Sequence, residues 1–292
     1  MKKLPVSLAL GAMLVSPFSM AKTVEAVASF TVLADMVKQV GGDHVHVKSL
    51  VGPNGDPHTF EPTPQDSQAL AKADVVFVSG LGLEGWMNRL VTASGYKNQP
   101  VIASTGVTTR TLEEDGKNIT DPHAWNNLQN GVIYATNIMN ALIKADPEDA
   151  TDIRLRGENY IQQLKNLDSW AKTSFEAVPP AKRKVLTSHD AFGYFGQRYK
   201  VNFLAPVGFS TEAEASASDV GGLIKQLKQQ HINRYFIENQ TDPRLVKQIA
   251  SATGAQPGGE LYPEALSDAS GPAATYVTAF KHNVNAMLGS MR

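Results

Sequence analysis

Short apolar runs alternate with amphipathic stretches along most of the chain. Val24-Glu25-Ala26-Val27-Ala28-Ser29 alternates and predicts a strand. Thr31 to Val40 carries apolar residues at helical spacing and stops at Gly41-Gly42, a helix C-terminal signal. Val45, Val47 and Leu50-Val51 predict a second strand. At Thr63-Pro64-Gln65-Asp66 a helix should begin, with Thr63 as cap, Pro64 in the first position and Asp66 at the positive N-terminal end. Val75-Val76-Phe77-Val78 is continuously apolar, as expected of a strand buried on both faces of a parallel sheet. A helix from about Glu84, a strand at Val101-Ile102-Ala103 and a helix ending near Lys144 continue the alternation.

The pattern changes at Asp146-Pro147. From Pro147 to Val178 the only glycine is Gly157, and Pro179-Pro180 stops the run. With Asp146 as cap, a continuous helix here would be about 48 Å long, too long for an ordinary crossover, and it reads as a rigid backbone between two lobes. Beyond it come strand Val185–Thr187, helix Ala191–Tyr199, strand Val201–Leu204, helix Ser218–Gln230, strand Arg234–Glu238, helix Pro243–Thr253, a short strand near Glu260–Tyr262 and a last helix Ala273–Leu288. The fold class is therefore α/β: two similar lobes, each a mainly parallel sheet flanked by helices, joined by one long helix. The expected division is a signal peptide at 1–21, an N-terminal lobe at 22–145, the linking helix at 146–179 and a C-terminal lobe at 180–292.

The leading segment bears on location. Lys2 and Lys3, an apolar stretch to Phe18 and small residues at Ser19 and Ala21 describe a cleaved secretory signal. The remaining 271 residues carry 25 basic and 28 acidic side chains, which offers nothing for nucleic acid. The sequence contains no cysteine, which excludes disulfides, thiolate ligands and a cysteine nucleophile and leaves no thiol for a bacterial lipid anchor. A soluble periplasmic monomer is expected.

Four residues stand out chemically. His58 lies in a proline-rich loop, and its Asp56-Pro57-His58 recurs as Asp121-Pro122-His123. His189 follows 66 residues after His123, and Glu264 another 75 on. All four fall at strand exits, where open parallel sheets bind ligands. Any one histidine in a loop is ordinary; two copies of a tripeptide and a third histidine at the equivalent place point to a metal. Asp-Pro sets an extended lead-in, and each aspartate can orient a neighbouring imidazole. His44, His46, His231 and His282 lie elsewhere and read as surface or structural residues.

Gly55-Asp56-Pro57-His58-Thr59-Phe60-Glu61-Pro62, Gly80-Leu81-Gly82-Leu83-Glu84-Gly85-Trp86, Asp121-Pro122-His123-Ala124-Trp125 and His189-Asp190-Ala191-Phe192-Gly193-Tyr194-Phe195 resemble the periplasmic metal-binding receptors of ABC importers, the ZnuA/TroA-like group. The resemblance spans essentially the whole chain after residue 21. It implies a transition metal held between the lobes and delivered to a permease with its ATPase. His58 and His123 then serve as N-lobe ligands and His189 as the first C-lobe ligand. The family's fourth ligand is usually an aspartate; here Glu264 takes that place, with Asp268 and Glu260 as alternatives.

Three imidazoles and one carboxylate suit tetrahedral Zn²⁺, whereas Mn²⁺ prefers more oxygen donors. Members that carry manganese usually have a carboxylate where His189 stands. Many zinc receptors also carry a long His-rich loop before the second ligand; this chain has only the acidic Leu112-Glu113-Glu114-Asp115-Gly116. Zinc is the expected cargo, with Mn²⁺ or Fe²⁺ as alternatives. A zinc hydrolase is the rival from another class, and a ligating Glu264 would close the position that an activated water needs.

Overall fold

The computed structural model describes residues 23–114, 117–208, 211 and 215–291. The signal peptide expected at 1–21 lies outside them. The first half builds a sheet from β1 (Val24–Ala28), β2 (Val45–Ser49), β3 (Val75–Val78) and β4 (Val101–Ile102), in the order β2-β1-β3-β4 and parallel throughout. An antiparallel hairpin follows, β5 (Thr111–Glu114) and β6 (Lys117–Thr120). The second half builds another parallel sheet from β7 (Lys184–Leu186), β8 (Asn202–Leu204), β9 (Arg234–Glu238) and β10 (Gln256–Leu261), in the order β10-β9-β7-β8. Both sheets share one plan. The first strand of each half is flanked by its second and third, so the order reverses beside it and a crevice opens at its C-terminal end.

Helices cover these sheets: α1 (Thr31–Gly41), α2 (Pro64–Lys72), α3 (Met87–Ser94), α4 (Leu128–Ala145), α5 (Ala150–Glu176), α6 (Gly193–Tyr199), α7 (Ala217–Gln229), α8 (Arg244–Thr253) and α9 (Tyr276–Ser290). The start of α2 is as expected, with Asp66 accepting both the N–H (2.9 Å) and the hydroxyl (2.8 Å) of Thr63. The long helix α5 has 27 residues, or about 40 Å. It starts three residues later than the pattern suggests, because Asp146 caps the end of α4 and its carboxylate takes the N–H of Asp149 (3.3 Å) in a turn. Its buried apolar face is Ile153, Gly157, Tyr160, Leu164, Leu167, Ala171 and Phe175, a stripe of three- and four-residue steps. At Gly157 a Cβ would stand 2.5 Å from the Met139 sulfur, so glycine lets α4 and α5 close up.

The expected acidic loop at Leu112–Gly116 proves to be the β5–β6 hairpin. Leu112 is buried and pairs with Ile119, and Asp115-Gly116 between the two alternating runs is a hairpin signal. Asp115 and Gly116 themselves lie outside the described residues. The strand expected near Glu260 begins earlier, at Gln256, disguised by Pro257, Gly258 and Gly259 and a register shift at that point. Gly258 is squeezed under Phe236, where a Cβ would lie 2.5 Å from the ring.

The two halves do not have separate cores. One apolar cluster runs from β1 and α1 through α4 and α5 to Phe195, Phe236 and Phe280. A smaller cluster of Leu186, Leu223, Leu227, Ile232, Val246 and Ile249 sits under α7 and α8. Among the described residues no helix is long and apolar enough to cross a membrane.

Candidate metal centre

His58, His123, His189 and Glu264 converge where the two sheets' strand ends face each other. A ligand atom from each lies within 4.8 Å of the others, and all four residues are buried. Glu264 Oε1 is 3.0 Å from His58 Nε2, 2.6 Å from His123 Nε2 and 2.9 Å from His189 Nε2. Three ring nitrogens and one carboxylate therefore point at a common centre. Of the alternatives for the fourth position, Glu260 accepts the Tyr262 hydroxyl (2.8 Å) and Asp268 is exposed.

Each group is held from behind. His58 follows β2, and Asp56 accepts its backbone N–H (2.8 Å). The indole of Trp86 donates to Pro57 O (2.8 Å) and packs on Phe60, which secures the same loop. The Gly80–Trp86 segment is itself fixed by Glu84, which accepts the N–H groups of Ser79 and Gly80 and the hydroxyl of Ser29. Asp121 orients His123 directly, accepting both its N–H (2.9 Å) and its Nδ1 proton (2.8 Å). The other Asp121 oxygen pairs with Arg110, and Tyr194 of the C-terminal half donates to Asp121 O (2.9 Å). A Cβ at Gly193 would collide with Arg110 and Asp121, so this crossing needs glycine.

His189 follows β7 and depends on a residue that sequence reasoning missed. Glu238, at the end of β9, accepts the N–H groups of Ser188 and His189 and lies 2.5 Å from His189 Nδ1. Its signal was its place: the last residue of an apolar strand, charged and buried at 2% exposure. Gln240 reaches Glu264 Oε2 (3.3 Å). The Glu264 loop is clasped by the N-terminal half, since Trp125 donates to Pro263 O (2.8 Å), Asn54 N to Leu266 O (3.0 Å), and Leu266 N to the Thr31 hydroxyl (2.9 Å).

The electrostatics favour a cation. Burial alone would raise the Glu264 carboxyl, but the charges of His58 and His189 and hydrogen bonds from His123 and His189 hold it well below the usual range. Burial alone would lower His123, yet hydrogen bonds to Asp121 and Glu264 push it up to about 9. At His189 burial is outweighed by the charges of Glu238 and Glu264, which raise it well above the ordinary value. Asp121, Glu238 and Glu264 thus make this centre one that favours positive charge.

Of the remaining histidines, His46 is exposed beside Glu25 (2.8 Å), His282 meets Glu260 O (2.9 Å) and His231 lies just past the end of α7 with positive φ. His44 sits between Asp149 and Asp152.

The model of the family described as zinc-uptake complex component A, periplasmic, matches residues 26–289. The chain belongs to this family. Its members are substrate-binding proteins of ABC importers, not enzymes, so the hydrolase reading is set aside, and metal capture for a permease and its ATPase is the activity of this fold. The metal ABC transporter substrate-binding lipoprotein SsaB of Streptococcus sanguinis is 32% identical over 268 residues, covering 89% of this chain and 86% of that protein. The iron ABC transporter substrate-binding lipoprotein MtsA of Streptococcus pyogenes serotype M1 is 33% identical with the same coverage. Among solved structures, the periplasmic zinc binding protein TroA from Treponema pallidum superposes with a TM-score of 0.87 at 29% identity, over 92% of this chain and 99% of that one.

Proposed function

We propose that this protein captures Zn²⁺ in the periplasm, with His58, His123, His189 and Glu264 as its four ligands, and hands it to the importer permease. The observation that carries this reading is the single Glu264 oxygen within 3.0 Å of all three Nε2 atoms. Three imidazoles and one carboxylate, each fixed from behind, match the tetrahedral N/O shell that zinc takes. We assign residues 22–145 and 180–292 to the two lobes and 146–179 to the connector. The signal peptide is placed at 1–21 and the mature protein is taken as a monomer; the relatives are named lipoproteins.

Iron or manganese is the second reading, iron favoured by the name of the S. pyogenes relative and manganese by that of a Streptococcus gordonii relative, and both by the capacity of a carboxylate to bind through both oxygens, which raises the coordination number. Native mass spectrometry of protein purified without added metal identifies the ion and its stoichiometry. Competition of Zn²⁺, Mn²⁺ and Fe²⁺ against a chelator, in wild type and Glu264→Ala, then ranks them. Zinc should bind tightest, and Glu264→Ala should weaken it without abolishing it. Tighter binding of Mn²⁺ or Fe²⁺ would replace zinc as cargo, and unchanged zinc affinity in the variant would remove Glu264 from the ligand set.

A further inference from the structure

We propose that His44, Asp146 and Asp149 form a second divalent-cation site, separate from the cargo centre, at the joint between the N-terminal sheet and the root of α5. His44 closes a turn just before β2, whereas His58 lies in the loop after that strand. Five residues of strand put these two ends about 16 Å apart, so the groups serve different places. Three separate elements contribute: the α1–β2 corner, the end of α4 at Asp146, and the residue before α5 at Asp149. One ligand atom from each lies within 4.8 Å of the others.

The decisive atom is Asp146 Oδ2. Asp146 is only 7% exposed, and this oxygen is buried with no hydrogen-bond partner. Buried carboxylate oxygens are satisfied by a donor, a water or an ion. The imidazole is already oriented as a metal-ligating histidine commonly is: His44 Nε2 faces Asp152 Oδ2 (2.8 Å), the same oxygen that accepts from Arg156 Nε (2.8 Å). Donation there leaves the Nδ1 lone pair for an ion, with Asp149 Oδ2, itself buried and without a hydrogen-bond partner, 3.0 Å away. Asp146, Asp149 and Asp152 bring three carboxylates to one guanidinium, Arg156 on Asp152, so a dication would offset the excess negative charge. An imidazole with carboxylates suits a borderline first-row cation such as Zn²⁺ better than Mg²⁺ or Ca²⁺, which favour oxygen alone. A bound ion would pin the α4–α5 corner to the sheet.

The test is a titration of the full mature protein with Zn²⁺ alone, by calorimetry and chelator competition, beside His44→Ala, Asp146→Asn, Asp149→Asn, His46→Ala and His123→Ala. Wild type should take one tight equivalent and one weaker. His44→Ala and both Asp variants should weaken the second about 10-fold or more and leave the first unchanged; the tight equivalent also reports that each variant is folded. His123→Ala should do the reverse, so failure of the cargo assignment shows in that variant alone. A single equivalent in wild type up to millimolar zinc overturns the proposal. So does a second equivalent that persists in the His44 and Asp variants or vanishes with His46→Ala, whose ring is exposed beside Glu25.

Discussion

Glu238 Oε2 lies 2.5 Å from His189 Nδ1, although 49 residues separate them in sequence. The same carboxylate collects the N–H groups of Ser188 and His189, so it fixes both the ring and the backbone that carries it. Such a partner sets which nitrogen faces the metal and raises its basicity. Glu238→Gln keeps the size but loses the charge, and cargo affinity is expected to fall about 10- to 100-fold, read by chelator competition. Glu260→Gln, outside the centre, is the control. Equal affinities in the two variants would mean that Glu238 only packs.

Proton competition should shape cargo binding. Hydrogen bonds to Asp121 and Glu264 overcome burial to place the His123 pKa at about 9 in the metal-free protein, and His189 is also raised. A raised histidine pKa stabilises the metal-free fold fully below the ordinary value of about 6.5. That contribution is lost as pH rises through about 9. Metal binding runs the other way, because the ligating rings must give up their protons. Apparent affinity should therefore keep rising from about pH 6.5 to about 9, a window above the one that free histidines would set. An affinity already level by neutral pH would show that His123 holds no proton there.

Asp168 joins the connector to the C-terminal lobe. It is buried in α5 and receives Arg198 Nε (3.0 Å), Arg198 Nη2 (2.5 Å) and the Tyr199 hydroxyl (2.8 Å) from α6. Removing one member of such a group leaves the others desolvated and unpaired. Asp168→Ala should cost about 3 kcal/mol in urea unfolding of the metal-free protein. A loss under about 1 kcal/mol would place the pair with ordinary surface ion pairs.

Lobe motion should be small. The apolar cluster is continuous across both halves, so a wide hinge opening would expose surface at about 25 cal/mol per Å². Small-angle scattering of metal-free and zinc-loaded protein should give radii of gyration within about 0.5 Å of each other, around a value near 18 Å for a compact chain of this length. A contraction of several ångströms on loading would refute the rigid connector.

The alternation of apolar runs with amphipathic segments was enough for the α/β class and for the long helix after Asp146, because burial periodicity is written locally, residue by residue. Strand-exit position and the repeated Asp-Pro-His likewise brought His58, His123 and His189 into one set. Local pattern failed where neighbours in space decide the outcome. The strand at Gln256–Leu261 contains Pro257, Gly258 and Gly259 and pairs because β9 offers it an edge and Phe236 leaves room only for glycine. Glu238 reads as the end of a strand, and only the parallel pairing of β7 with β9 sets its carboxylate behind His189. In both Asp-Pro-His copies the aspartate takes the histidine's backbone N–H, yet Asp121 also takes the ring of its histidine and pairs with Arg110, while Asp56 takes the Thr211 hydroxyl. Identical short motifs diverge because a side chain's partner is chosen by what the fold brings within 3 Å, and most of those partners lie far away in sequence.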